Sequence, residues 1–199
     1  MLPADLYLEG IGALNRVTAG FDAADWRRPT CGVWSAEDTA RHLLGVAEWY
    51  QQWMSRALDG DDTRPFAGSD IDHHNDNQVA RHADLDGPAA MEAFRFAANE
   101  YLDCTNGYLD LPYSYPFGQV TVGLHLGVAA TEWHLHAWDF ARVVGCDYAP
   151  SDPASLYLAA GNCVAATKPF PISSLIRPMV RLGAKRKPWP TILRTSGRL

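Results

Sequence analysis

Glu132 and His136 stand four residues apart in TEWHLHAWDFA (131–141), a run that is otherwise apolar and rich in tryptophan. Residues i and i+4 of an α-helix lie about 40° apart around its axis, so this carboxylate and imidazole share a face and can hold one cation between them. His134 is two residues from each. A helix carries it about 200° from Glu132, to the opposite side, and it cannot join the pair without breaking the helix. His125 falls on the shared face two turns earlier, about 10 Å along the axis, where it borders a site rather than ligating the same ion.

The remaining ligand has to come from another helix. His42 shares its face with Val46, Trp49 and Trp53 at i+4, i+7 and i+11, an apolar stripe that should point into a core. A buried imidazole needs a partner, and a Glu/His pair on a facing helix supplies either a metal site or a plain hydrogen-bonded network. Two histidines and a carboxylate suit a borderline divalent cation, zinc before nickel, iron or manganese. Three protein ligands leave a position open, the arrangement in which a bound water or thiol loses its proton and becomes a nucleophile. Asp38, one turn before His42, and Asp139, one turn after His136, are placed to orient those rings, although capping is the favoured role for Asp38. Trp49 and Trp53 are candidates to line a substrate pocket, with core packing the favoured role. His73, His74 and His82 sit in a polar stretch without an apolar shell and are expected on a solvated face.

These side chains need helices to carry them. Apolar spacing and end signals predict a first helix over 4–21, with Tyr7, Ile11, Leu14, Val17 and Phe21 on one stripe. A second spans 35–59, with Ser35 as N-cap, Asp38 three residues on, and Gly60 as the stop. A third region, 71–108, is interrupted by Gly87 and Pro88, with Pro88 opening its long second piece. Residues 110–123 hold two prolines and read as a loop or short extended turn. A fourth helix covers 121–144, and Pro153 opens a fifth. The expected fold is all-α: an up-and-down four-helix bundle with an extra helix and an irregular basic C-terminal tail. Residues 1–168 would form the metal-binding domain, with the proline-broken 169–199 packed on it.

Composition narrows the function classes. The chain has 199 residues, 47% of them hydrophobic and 20% charged, enough to bury a core without disulfides. Residues 1–152 hold all 23 acids against nine of the 17 bases, while 153–199 hold eight bases and no acid. The features of a nucleic-acid reader are missing, so the basic tail is expected to fold on the acidic body, with binding of anionic ligands second. The sequence shows no signal peptide and no apolar run long enough to span a membrane, which points to a cytoplasmic protein. Cys31, Cys104, Cys146 and Cys163 form no C-x-x-C and are expected to be free and mostly buried, with Cys31 a lesser candidate for a reactive role.

The segments CGVWSAEDTARHLLG (31–45) and PFGQVTVGLHLGVAATEWHLHAWDFARVVG (116–145) resemble the DinB-like superfamily, in its mycothiol-dependent maleylpyruvate isomerase branch. The W-S-x-x-D-x-x-x-H run would place the family's first metal ligand on His42, and the E-x-x-x-H-x-W-D run the other two on Glu132 and His136. The closing SGR is also similar to the end of many such chains. The resemblance implies a four-helix bundle holding a divalent ion, usually zinc, where a low-molecular-weight thiol such as mycothiol coordinates. It also implies an added C-terminal domain in the isomerases themselves, where this chain has about 47 residues after Asp152. The expected function is metal-dependent thiol transfer or isomerisation on a small electrophile. The alternative is a non-catalytic metal- or ligand-binding module with a stress or regulatory role, and a homodimer fits either.

Overall fold

A computed structural model describes the backbone of residues 1–166 and side chains through 162. The expected basic tail lies outside the described residues. The element order is α1 (Pro3–Thr18), β1 (Pro29–Cys31), β2 (Trp34–Ser35), α2 (Ala36–Leu58), α3 (Ile71–Arg81), α4 (Gly87–Thr105), β3 (Pro112–Tyr115), β4 (Gly118–Thr121), α5 (Val122–Val143) and α6 (Pro153–Ala166). Helix α1 packs along α5 and α2 along α4, and the two pairs meet through α2 with α5 and α1 with α4. Trp133, Tyr7, Tyr101, Tyr113, Phe94 and Phe140 fill the space between them, each fully buried. Burying an aromatic ring of this size stabilises by roughly 1.5–3 kcal/mol, so this cluster is a main source of cohesion.

Local chemistry explains the boundaries of the helices that matter. Ser35 accepts from the Asp38 amide, and Asp38 reaches back to the Ser35 amide, a reciprocal cap that fixes the first turn of α2. Asp86 caps α4 through the Ala89 amide, and Thr121 caps α5 through the Leu124 amide. Gly10 lets α1 approach α5 closely, since a Cβ there would come within 2.7 Å of Trp133 Cβ. Gly127 does the same for α6, where Ala159 Cβ would stand at 2.8 Å.

Two expectations need correction, and one element is new. Helix α1 ends at Thr18, three residues early, because the Thr18 hydroxyl bonds the Leu14 carbonyl and the chain turns at Gly20. Phe21 therefore leaves the helical stripe and packs edge-on against Trp26 and Phe140. The segment before α2 contains a small hairpin, turned by Gly32 at φ 64°. Residues 112–121 form a regular antiparallel hairpin, more extensive than the loop or short extended turn expected. Tyr113 pairs with Val120 and both face the core, as does Tyr115. Prolines at 112 and 116 are tolerated because one begins the strand and the other sits in the turn. Among the described residues no helix is long and apolar enough to cross a membrane.

Candidate metal centre and its cleft

Helices α2 and α5 face each other across one cleft and bring His42, Glu132 and His136 together. His42 Nε2 lies 3.3 Å from Glu132 Oε1, and His136 Nε2 lies 3.2 Å from the same oxygen. One donor atom from each of the three lies within 4.8 Å of the others. All three line the same cavity of about 180 Å³, so the space beside the donors opens into it. Trp34, which precedes the α2 cap, lies with its ring centre 4.8 Å from that of His42. Sequence reasoning missed this role for Trp34, although W-S-x-x-D already placed it two turns from the histidine.

The electrostatics follow from two buried rings that share one partly exposed carboxylate. Burial pushes the Glu132 carboxyl up, but hydrogen bonds from His136 and His42 outweigh it and hold the group well below the usual carboxylate range. Burial also disfavours charge on His136. Contacts with Asp139 and Glu132 reverse that effect and raise it to about 9. His42 goes the other way, lowered chiefly by burial, against the hydrogen bond it donates to Glu132. The trio thus contains an ionised carboxylate, a protonated ring and a neutral ring.

Asp139 is almost fully buried, with its Oδ2 3.2 Å from His136 Nδ1. Asp38 does cap α2, and it also binds Arg41 at 3.1 Å. Trp49 and Trp53 are both core residues and cavity lining: they are buried, stack at 5.8 Å and form part of the cleft wall. His134 points away from the trio, held between the Tyr148 hydroxyl at 2.6 Å and the Leu6 carbonyl at 2.9 Å.

His73 is exposed on a polar surface and bonds Asn77, as a solvated face requires. His82 departs from that expectation, being 9% exposed and 3.1 Å from Glu48. His74 stacks on Phe66 at 3.8 Å. His82 departs because α3 packs on α2, and His74 because the loop before α3 brings Phe66 against it, neither of which a local polar pattern reveals. Cys31 is buried beside His136 and Asp139, whereas Cys104 and Cys146 are exposed, so the expectation of mostly buried thiols fails for those two. Cys146 lies just past the end of α5, and Cys104 is in the final turn of α4 on a solvent-facing side.

The mainly helical fold thus brings a His/Glu/His set together between two inward faces. Residues 7–141 match the family model described as the mycothiol maleylpyruvate isomerase N-terminal domain, and the chain belongs to that family. Among solved structures, a histidine-to-alanine variant of the mycothiol-dependent maleylpyruvate isomerase is similar, with a TM-score of 0.58 and 15% sequence identity. The match covers 69% of this chain and 59% of that one, and at this identity it speaks for the fold alone. No curated protein sequence matches the chain.

Proposed function

We propose that the chain binds one divalent metal ion, zinc first, through His42 Nε2, Glu132 and His136 Nε2, and uses it in thiol chemistry on a small electrophile. The thiol would be of the mycothiol type, and the reaction an S-transfer or isomerisation. The observation that carries this reading is the convergence of two buried imidazole nitrogens on one carboxylate oxygen at the wall of a cavity. The donor set fits such an ion: two nitrogens and one carboxylate, with a free direction toward the cleft. When bound, an ion of this kind supplies positive charge that lowers the pKa of a coordinated thiol or water.

The chain's own residues would each have a part. Glu132 remains ionised and offsets part of the cation's charge. His42 is neutral and has an Nε2 lone pair available when its proton resides on Nδ1, which has no partner among the described residues. His136 carries a proton that has to leave when a cation arrives, and Asp139 is placed to keep the remaining proton on Nδ1, so that Nε2 points its lone pair at the site. Trp34, Trp49 and Trp53 keep bulk water from much of the cleft. Residues 1–168 would act as one metal-binding domain in a reducing cytoplasm, with mycothiol and the electrophile as small-molecule partners and a homodimer as the assembly.

Metal content of the purified protein against His136→Ala tests the first step: about one ion per chain is expected in the former and far less in the latter. Equal, negligible metal in both overturns the site and favours a second reading, a closed Glu/His hydrogen-bond network, which the same three contacts support. A panel of low-molecular-weight thiols and electrophiles tests the second step. Metal bound without turnover across that panel would identify a binding module instead.

A further inference from the structure

Helix α3 gives the cleft a polar patch that the metal reading leaves unused. Ile71, Asp72 and Asn75 line the same cavity as His42, Glu132 and His136. Asp72 and Asn75 stand three residues apart on α3, so they are neighbours on one helical face, with Cβ atoms about 5–6 Å apart. One small group can therefore touch both side chains.

Their neighbours in sequence are already engaged. Asp70 accepts from the Ser69 hydroxyl and Asn77 bonds His73, whereas among the described residues the side chains of Asp72 and Asn75 make no hydrogen bond or ion pair. A carboxylate offers acceptors alone, and the Asn75 amide adds a carbonyl oxygen, so the pair is equipped to receive a donor-rich group.

The rest of the wall favours positive charge on that group. Trp49 meets His74 of α3 edge-on at 6.1 Å and stacks on Trp53 at 5.8 Å, so an aromatic wall begins beside the patch. Ring faces attract cations and repel anions. Among the described residues that line the cavity, Asp72 and Glu132 are carboxylates and none is a lysine or arginine. A carboxylate-bearing guest would meet like charge there.

We propose that Asp72 and Asn75 form a recognition subsite for an organic ammonium group, carried by a molecule whose apolar body lies against the tryptophans. Resting on the function proposed above, this makes the electrophile an amine-bearing molecule rather than a carboxylic acid. The subsite itself needs no metal.

Three probes share a phenyl ring and a two-carbon arm and differ in the head: 2-phenylethylammonium, 2-phenylethanol and 3-phenylpropionate. They are titrated by tryptophan fluorescence against the chelator-treated full chain, where zinc cannot capture the carboxylate. The ammonium should bind about fivefold tighter than the alcohol, the increment of a charge-assisted over a neutral hydrogen bond, and the carboxylate weakest of the three. Asp72→Asn should erase the ammonium preference and leave the alcohol unchanged. Asp76→Asn, on the same helix but away from the cavity lining, should keep it. Asp72 also lies in the first turn of α3, and a role confined to starting that helix would lower stability without reordering the probes. Absent or equal binding of ammonium and carboxylate, a preference that survives Asp72→Asn, or an equal loss in Asp76→Asn overturns the subsite. Ammonium selectivity in a chain that takes up no zinc would sink only the metal reading, and zinc uptake without selectivity only the subsite.

Discussion

His136 and His125 are carried by one helix, lie 4% and 0% exposed, and line one cleft, yet their acidities move in opposite directions. His136 rises to about 9, whereas His125 falls to about 3. Burial pushes both rings toward the neutral form. What differs is the company: His136 lies against Glu132 and Asp139, while His125 touches the neutral hydroxyl of Tyr101 and the faces of other aromatics. The comparison teaches that depth alone does not assign a role to a buried histidine. Neighbouring carboxylates keep a proton on the ring at one end of the cleft, and their absence leaves the ring at the other end uncharged.

The strongest way to break the contrast is to remove the shared carboxylate. Glu132→Ala is expected to reduce zinc affinity by more than the 10–100-fold typical of losing a partner behind a ligand, read by competition with a chromogenic chelator. Unchanged affinity would show that the two ends do not differ in this way. Asp139→Asn should cost about 10–100-fold and bring the His136 pKa down from about 9 toward the ordinary value, visible in an NMR titration. Zinc affinity itself should rise about tenfold per pH unit below pH 9, as the His136 proton becomes easier to displace.

Stability of the metal-free protein should show the same opposition. For His136, whose folded pKa is raised above 6.5, the folded state holds the extra proton. Its contribution is fully present below 6.5 and is lost as pH rises toward 9. For His125 the folded pKa is depressed, so the unfolded chain binds the extra proton between about 3 and 6.5, and stability is lost as pH falls through that window. Each limb has a limiting slope of about 1.4 kcal/mol per pH unit for an isolated group. Urea unfolding across pH should therefore give a dome, with the acid limb flattened in His125→Phe and the alkaline limb in His136→Phe.

Much of the His42, Glu132 and His136 cluster was legible because it depends on short-range rules. The Ser35/Asp38 cap and the Gly60 stop located α2 to within a residue, and the 40° and 200° rotations separated His136 from His134. The hairpins were harder to read. Two- and three-residue strands around Gly32 carry no period, and with prolines at 112 and 116 the short alternation after them did not by itself reveal two paired strands. The neutral end was the least legible. Its character comes from Tyr50 on α2, Tyr101 on α4 and Tyr113 on β3, which only the fold brings to His125. Likewise, the polar pattern around His82 gave no hint that α3 would bury it against Glu48.

The smallest expected effect sharpens the contrast most. Tyr101→Phe removes the hydrogen bond to His125 Nδ1 but leaves the ring and its packing in place. The loss of one buried hydrogen bond, with His125 Nδ1 left to find another partner, should cost about 1–3 kcal/mol in urea unfolding. The His125 pKa should barely move, because burial is what depresses it and a neutral hydroxyl has no charge to contribute. Asp139→Asn, an equally conservative change at the other end, removes a full negative charge and should shift His136 by a unit or more. A His125 pKa that climbs toward 6.5 in Tyr101→Phe would mean that the hydroxyl, rather than the aromatic walls, keeps that end of the cleft uncharged.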